Sequence, residues 1–332
     1  MQQNPGRMAW RESICSKELA LAFARWCLSP PNAGRFPKPG RLFTKRHHLF
    51  YLEPLISLSM ICNIGDLRIY YETCGEGNPV LAIHGFGIDH HVMTGCMEPI
   101  FTNRPGWKRI YLDLPGMGRT HAPRWLNDAD QMLDIIIEFC GNVIPNDQFL
   151  VAGESYGGYL ARGLVRSIPE RIKGVLLICP VVIADRNRRD LPPRRVFVKD
   201  KSFLASIAPS AKKQLFERVL VVQDHPRWDR FTQDIIPGMK AKDEAFLERF
   251  EKRGYSFSFE VDQLPHPFDR PSLILSGRQD ASVGYHDSLK IVTNYSRGTV
   301  AILDRAGHGL EVEQETVFNC LVNEWLDRLE EV

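Results

Sequence analysis

One short segment of the sequence has the residue types and spacing of a nucleophilic site. Residues 153–157 read Gly-Glu-Ser-Tyr-Gly, which fits the pattern Gly-x-Ser-x-Gly, and they follow the apolar run 149–152. A sharp turn between a strand and a helix lifts a serine hydroxyl above a sheet, and flanking glycines avoid collisions with the neighbouring backbone. The pattern therefore predicts Ser155 as a nucleophile.

A serine hydroxyl is a poor nucleophile until a base removes its proton, so a histidine must lie nearby in the fold. Among the ten histidines, His308 is the best candidate, because it follows a predicted strand and precedes the last predicted helix. A carboxylate must then fix the tautomer of the imidazole and stabilise its cation. We predict Asp280 for this role, since it follows the strand predicted at 272–276, with Asp304 as the alternative.

An acyl-transfer site also needs hydrogen-bond donors for the oxyanion that forms during attack. Residues 84–87 read His-Gly-Phe-Gly and follow a predicted strand, so backbone N–H groups of this turn can face the site. We predict that the N–H groups of Phe86 and Tyr156 form the donor pair, aided by the positive end of the helix that begins at Tyr156. We expect His84 to be a structural hydrogen-bonding group rather than the base.

The elements that must position these residues alternate along the chain from about residue 60. Apolar runs of strand length alternate with helical stretches, and helices are predicted at 128–143, 156–167 and 316–329. This alternation is typical of a mostly parallel sheet with helices on both faces. The predicted strands are residues 67–73, 80–84, 108–114, 148–153, 173–179, 272–277 and 299–304.

Residues 185–266 interrupt this alternation. They contain no strong strand pattern, show helical patches at 210–222 and 243–253, and are too long for a structureless connection. We predict an inserted helical cap, with ordinary surface helices as the alternative. Its seventeen basic and thirteen acidic side chains could attract anionic substrates, although a solvated basic face is the simpler explanation. Four of its aromatic residues could line an acyl pocket or pack between helices: Phe197, Phe203, Trp228 and Phe231.

Taken together, the motifs resemble those of the α/β-hydrolase fold superfamily. The matching segments occur in the order of that family and span residues 66–332. They are residues 84–87, 113–118, 153–158, 277–280 and 307–308. The resemblance implies an α/β-hydrolase fold: a mostly parallel, eight-stranded sheet with helices on both faces and a helical cap inserted after the sixth strand. Met117 stands where the family often has histidine or phenylalanine, and we expect this difference to affect packing rather than chemistry.

The resemblance also implies roles for the residues named above. Ser155, Asp280 and His308 would be the nucleophile, acid and base, and no cofactor would take part. The oxyanion donors would be the backbone N–H groups of Phe86 and Tyr156. Relatives that resemble haloalkane dehalogenases and soluble epoxide hydrolases use an aspartate nucleophile, so a serine disfavours those chemistries.

Composition excludes several classes of protein. The chain has 332 residues, 44% hydrophobic and 25% charged, which excludes a disordered or fibrous protein. Its 42 Lys and Arg against 40 Asp and Glu give a net charge of +2, so nucleic acid is not an expected partner. No stretch approaches the roughly 18 to 20 apolar residues of a membrane-spanning helix, and no segment makes a convincing secretory signal.

The cysteines and histidines show no metal-binding spacing. The eight cysteines are scattered without a Cys-x-x-Cys pair, so we expect reduced thiols and a cytoplasmic location. The adjacent His90 and His91, without a nearby cluster of carboxylates or cysteines, are weak evidence for a metal site. We therefore expect no metal.

Residues 1–59 differ from the rest of the chain. They carry nine basic and three acidic side chains, with several proline and glycine breakers at 29–48. We expect a disordered basic extension, followed by a core made of residues 60–184 and 267–332. The position of Met60 suggests that the extension is upstream sequence joined by a misassigned start codon; an organelle-targeting leader is the alternative.

From the sequence we predict a serine hydrolase that cleaves a small carboxylic ester or a related acyl compound through an acyl-enzyme. An aminopeptidase of the proline-iminopeptidase type, a thioesterase, a lactonase and a carbon–carbon bond hydrolase remain open, because fold analogy does not supply a substrate. A ligand-binding receptor on a hydrolase scaffold is the alternative from another class. The sequence leaves the oligomeric state open.

Overall fold

The computed structural model of the protein describes residues 57–331. The prediction of a disordered extension over residues 1–59 therefore lies, except for its last three residues, outside the described residues. The first strand begins at Leu58, two residues before the predicted start of the core. The six cysteines in the described range are free thiols, and five of them are buried. None of the helices in this range is long and apolar enough to cross a membrane.

Eight strands form one sheet, and two short strands between β6 and β9, described below, form a separate pair. The eight strands are β1 (Leu58–Ile64), β2 (Leu67–Cys74), β3 (Asn78–Ile83), β4 (Trp107–Leu112), β5 (Phe149–Glu154), β6 (Ile172–Ile178), β9 (Ser272–Gly277) and β10 (Gly298–Leu303). Their spatial order is β1-β2-β4-β3-β5-β6-β9-β10. Strand β2 runs antiparallel to both of its neighbours, and all other pairs are parallel. The predicted eight-stranded, mostly parallel sheet is confirmed.

Helices connect the strands. They are α1 (His91–Phe101), α2 (Ala129–Val143), α3 (Tyr156–Ser167), α4 (Lys201–Ser206), α5 (Ala211–Val219), α6 (His225–Arg230), α7 (Ile236–Lys240), α8 (Glu244–Arg253), α9 (Tyr285–Lys290), α10 (Leu310–Glu313) and α11 (Glu315–Glu330). Aspartates begin two of the predicted helices: the Asp128 side chain accepts a hydrogen bond from the Gln131 N–H at α2, and Asp243 accepts one from the Phe246 N–H at α8. Such caps satisfy backbone donors that have no partner within a helix.

Between β6 and β9 the chain is helical, as the sequence predicts for residues 185–266. Helices α4 to α8 lie there, together with two strands of two residues each, β7 (Val198–Lys199) and β8 (Val222–Gln223). A π-helical turn, Phe231–Ile235, joins α6 to α7. The short strands lack the apolar length of the central strands, which explains why the sequence showed no strand pattern in this segment.

The core elements that were not predicted include β1 and α1. Five of the seven residues of β1 are exposed, so this edge strand lacks the continuous apolar run of a buried strand. Helix α1 contains Gly95 and Pro99, which weaken a helical pattern, although six of its apolar side chains are buried. Backbone pairing with β2 therefore holds β1, and packing of the buried side chains outweighs local propensity in α1.

Candidate active site

Ser155 lies on the sharp turn between β5 and α3. Its backbone has φ 53° and ψ −112°, a conformation that L-residues rarely adopt and that is associated with functional strain. The turn is tight: a Cβ added at Gly157 would lie 2.1 Å from the carbonyl oxygen of Ile83, and one at Gly153 would lie 2.3 Å from that of Gly157. The two glycines of the motif are thus a steric requirement of the turn.

The structure brings the three predicted side chains together. Nε2 of His308 lies 2.9 Å from Oγ of Ser155, and Nδ1 of the same ring lies 2.8 Å from Oδ2 of Asp280. The other oxygen of Asp280 accepts hydrogen bonds from the N–H groups of Ser282 and Val283, at 2.8 and 3.0 Å. These bonds fix the carboxylate, so that in the neutral ring Nδ1 carries the proton and Nε2 can accept one from the serine.

Asp304, the alternative acid, has a different partner. Its Oδ1 accepts a hydrogen bond of 2.8 Å from the side-chain amide of Gln279, and its carboxylate is exposed to solvent. Asp280 is 1% exposed. The structure therefore places Asp280 on the imidazole, in agreement with the order of preference taken from the sequence.

The pKa values of this pair are shifted in opposite directions. Burial lowers the pKa of His308, but the charge of Asp280 and the hydrogen bond to it, together with nearby glutamates, outweigh burial and raise the pKa to about 9. Burial raises the pKa of Asp280, but the charge and hydrogen bond of His308 outweigh this effect and lower it. Each group thus stabilises the charged form of the other.

The two residues predicted as oxyanion donors have side chains in contact with each other. Phe86 follows β3, Tyr156 is the first residue of α3, and their rings meet at 5.4 Å between centroids. Within residues 57–331, neither backbone N–H donates to a protein acceptor. The N–H of the neighbouring Gly87 donates instead to Sδ of Met117, at 3.1 Å. Met117 thus packs against the turn, as expected from the sequence.

His84 makes only structural contacts. Its Nδ1 lies 2.7 Å from the carbonyl oxygen of Gly85, and its Nε2 accepts a hydrogen bond of 2.9 Å from the Leu114 N–H. Burial lowers the pKa of this fully enclosed ring, which keeps it neutral. The ring bridges two loops.

The paired histidines face carboxylates. Nδ1 of His90 lies 2.7 Å from Asp113, Nε2 of His90 lies 3.3 Å from Glu72, and Nδ1 of His91 lies 2.8 Å from Asp89. Side-chain ligand atoms of Asp89, His90 and His91 lie within 4.8 Å of one another. Hydrogen bonds between imidazoles and carboxylates account for this geometry, and the expectation that the protein needs no metal remains a prediction.

Aromatic side chains from the segment 185–266 cover the serine turn. The ring centroid of Tyr255 lies 4.5 Å from that of Tyr156 and 5.1 Å from that of Phe86. The ring of Phe250, on α8, lies 6.1 Å from that of Phe86. Neither residue was predicted as part of the site, because their spacing on and after α8 is the same as that of ordinary helix-core residues.

The four aromatic residues named from the sequence lie elsewhere. Phe203, Trp228 and Phe231 belong to a cluster around Phe216, within the helices of the segment itself. Phe197 is 39% exposed. The sequence left open whether these residues line an acyl pocket or pack between helices. Phe203, Trp228 and Phe231 pack between helices.

A buried glutamate joins the helical segment to the loop that carries His308. One carboxylate oxygen of Glu313 accepts hydrogen bonds from the N–H groups of Val221 and Val222, and the other accepts one from the N–H of Gly307. Its side chain is fully buried, and burial raises its pKa to about 8. A single side chain thus fixes the residue that precedes His308.

The serine turn gives a first prediction about stability. We expect Gly157→Ala to destabilise the protein by about 1 to 3 kcal/mol and to reduce activity, because the added Cβ meets the Ile83 carbonyl. Gly141→Ala on α2 is the matched control: a Cβ there meets nothing within 4 Å, and we expect stabilisation of about 0.5 to 1 kcal/mol. Urea unfolding of both variants tests this, and equal stability of the two would contradict it.

Glu313 gives a second prediction. We expect Glu313→Gln to lower the free energy of unfolding by about 1 to 3 kcal/mol and to lower kcat. In either orientation, the glutamine turns its N–H₂ group towards a backbone N–H, and that N–H loses its acceptor. The control is Glu315→Gln, which removes a half-exposed ion pair with Arg230 and should cost less than about 1 kcal/mol. A Glu313→Gln variant as stable and active as the control would show that Glu313 does not fix the loop that carries His308.

The fold and the arrangement of serine, histidine and aspartate define a class of enzyme. A family profile described as alpha/beta hydrolase fold matches residues 78–310, and the chain belongs to this family. The predicted superfamily and fold class are thereby confirmed, and the protein is a hydrolase.

Individual relatives agree with this family. An alpha/beta superfamily hydrolase from Oenococcus oeni is 31% identical, with a TM-score of 0.72 over 79% of this chain and 96% of that one. A pimeloyl-(acyl-carrier protein) methyl ester esterase from Shewanella woodyi is 22% identical over 78% of this chain and 98% of its own. A 2-hydroxy-6-oxononadienedioate/2-hydroxy-6-oxononatrienedioate hydrolase from Burkholderia vietnamiensis is 23% identical over 79% and 92%.

Proposed function

We propose that the protein is a serine hydrolase that cleaves small carboxylic esters through an acyl-enzyme on Ser155. The observation that carries this proposal is the continuous hydrogen-bonded chain from Oγ of Ser155 through the His308 ring to Asp280. Such a chain activates a hydroxyl for attack on a carbonyl carbon. The esterase among the relatives supports an ester as substrate.

The reaction has two steps. Oγ of Ser155 bonds to the ester carbonyl carbon while its proton moves to Nε2 of His308, and the N–H groups of Phe86 and Tyr156 hold the oxyanion. The tetrahedral species collapses, the C–O bond to the alcohol breaks, and His308 returns the proton to the alcohol. Water then attacks the acyl-enzyme with His308 as base, which releases the acid and restores the serine. Asp280 stays ionised throughout and stabilises the imidazolium.

Within this proposal, residues 185–266 are a cap on a core made of residues 60–184 and 267–332. The contacts of Tyr255 and Phe250 with the serine turn support this division, as does the Glu313 link to Val221 and Val222. Arg189 adds a further link, because its guanidinium donates to the carbonyl oxygen of Ser282, beside the acid. The cap would close the acyl side of the site and limit the size of the acyl group.

The proposal includes a small-molecule acyl substrate, no nucleic acid partner, no cofactor and a cytoplasmic location. The free thiols of the described cysteines support a reducing compartment. The near balance of charges along the whole chain supports the absence of a nucleic acid partner.

Carbon–carbon bond hydrolysis is a second candidate. Relatives at 23 and 24% identity are named as hydrolases of 2-hydroxy-6-oxo dienoic compounds. A panel of substrates separates these functions. It contains p-nitrophenyl esters of increasing acyl length, 2-hydroxy-6-oxo-2,4-heptadienoate, an aminoacyl amide, a thioester and a lactone. We expect sustained turnover with the highest kcat/KM on a short acyl ester. Preference for the dienoate would replace the esterase proposal, and a stoichiometric burst without turnover would favour a receptor.

A further inference from the structure

Glu154, the residue before the serine, is a buried acid that the two-step mechanism does not use. Its side chain is 4% exposed and lies under the turn after β3, where a Cβ added at Gly85 would be 2.2 Å from its Oε2. Within residues 57–331, this Oε2 makes no hydrogen bond of normal geometry, and the backbone of Gly85 beside the carboxylate only partly stabilises its charge. Its Oε1 lies 3.6 Å from Nε2 of His308, the nitrogen that also contacts Ser155.

A second buried acid, Glu311 on α10, adds negative charge near the same imidazole. It is 2% exposed, and its Oε2 also has no hydrogen-bond partner in the described part of the chain. Burial raises the pKa of Glu154 to about 8 and that of Glu311 to about 7, although the charge of His308 lowers both. Each carboxylate, when ionised, raises the pKa of His308 and makes its positive charge more favourable.

Several other groups determine the charge around this pair. Arg230 on α6 is the cation that faces Glu311, and it also binds Asp234 at 2.6 Å. The remaining titratable groups facing the pair and His308 are acids and thiols: Asp280 after β9, Glu313 on α10, Cys179 after β6 and Cys96 on α1. Apart from Arg230, His308 is therefore the group whose positive charge compensates these acids.

We propose that Glu154 is a positioning residue whose charge, together with that of Glu311, controls how readily His308 accepts the proton of Ser155. An ionised Glu154 faces Nε2 and holds the imidazole in its charged form, which cannot act as a base. When Glu154 carries a proton, Nε2 is released for Ser155. This proposal rests on the proposed function only in assigning His308 as the base.

The test measures the titration of His308 directly and the pH profile of kcat/KM in parallel. Histidine NMR signals, with the His308 resonance assigned from a His308→Gln variant, are followed in the wild type, Glu154→Gln and Glu311→Gln. Glutamine keeps the shape of the side chain and removes its charge. We expect the titration midpoint of His308, and the acidic limb of kcat/KM, to move to lower pH by roughly one unit in Glu154→Gln, and in the same direction in Glu311→Gln.

Asp304→Asn is the matched control. It removes an acidic charge four residues from His308, but one that is exposed to solvent, and the shift should stay below roughly 0.2 pH unit. The proposal is overturned if the His308 midpoint does not move in the glutamine variants that fold. It is also overturned if kcat/KM of these variants falls by the same factor at every pH. A shifted midpoint in a protein without hydrolytic turnover would instead support the role of Glu154 and reject the proposed function.

Discussion

Replacing Ser155 by alanine is expected to lower kcat for ester hydrolysis by about 10⁶-fold without unfolding the protein. The hydroxyl lies 2.9 Å from Nε2 of His308, and the methyl group that replaces it has no nucleophilic atom. The side chain is small and 8% exposed, so little packing is lost. The measurement is kcat on the preferred p-nitrophenyl ester, with circular dichroism and urea unfolding to verify the fold.

The residual rate decides whether Ser155 is the nucleophile. Enzymes that lose this group retain a slow reaction from the oxyanion site and from binding. A variant that keeps more than about 1% of wild-type kcat while remaining folded would show that a different group attacks the substrate. Preparing the wild type and the variant in parallel excludes a contaminating hydrolase as the source of the residual rate.

Replacing Asp280 by asparagine is expected to lower kcat by about 10⁴-fold. An asparagine can present its N–H₂ to Nδ1 of His308, which favours the tautomer with the proton on Nε2 and blocks proton transfer from the serine. The two backbone N–H bonds from Ser282 and Val283 to the other oxygen can persist, so the loop should keep its position.

Asp304→Asn is the control for this prediction as well, because the sequence left Asp304 open as the acid. Its carboxylate binds Gln279 and is solvent-exposed, so we expect kcat within about twofold of the wild type. A loss of the same size in both aspartate variants would mean that the loop geometry, rather than the contact with His308, determines the rate.

The sequence was sufficient to predict the central sheet and the placement of the three site residues on its loops. Strands β3, β5, β6 and β9 are almost wholly buried, so their sequences are nearly continuous apolar runs. Because parallel strands carry their following loops at one edge, Ser155, Asp280 and His308 were expected to meet there. The glycines at 153 and 157 identified the turn.

Other parts of the site left no pattern in the sequence. Glu311 and Glu313 alternate with apolar residues just after His308, which gives no sign that their carboxyl groups are buried. Their environment depends on Val221 and Arg230, about 80 to 90 residues away, and long-range contacts of this kind are invisible to local periodicity. The same holds for Tyr255, whose ring reaches the serine turn only because α8 folds over it.

The most direct test of a covalent mechanism at Ser155 is mass spectrometry of the protein after reaction with a fluorophosphonate probe. We expect one adduct per chain, located on the peptide that contains Ser155, no adduct in folded Ser155→Ala, and slower labelling in His308→Gln. A folded wild-type protein that takes up no probe, or labelling that persists in Ser155→Ala, would contradict the proposal that this serine attacks the substrate.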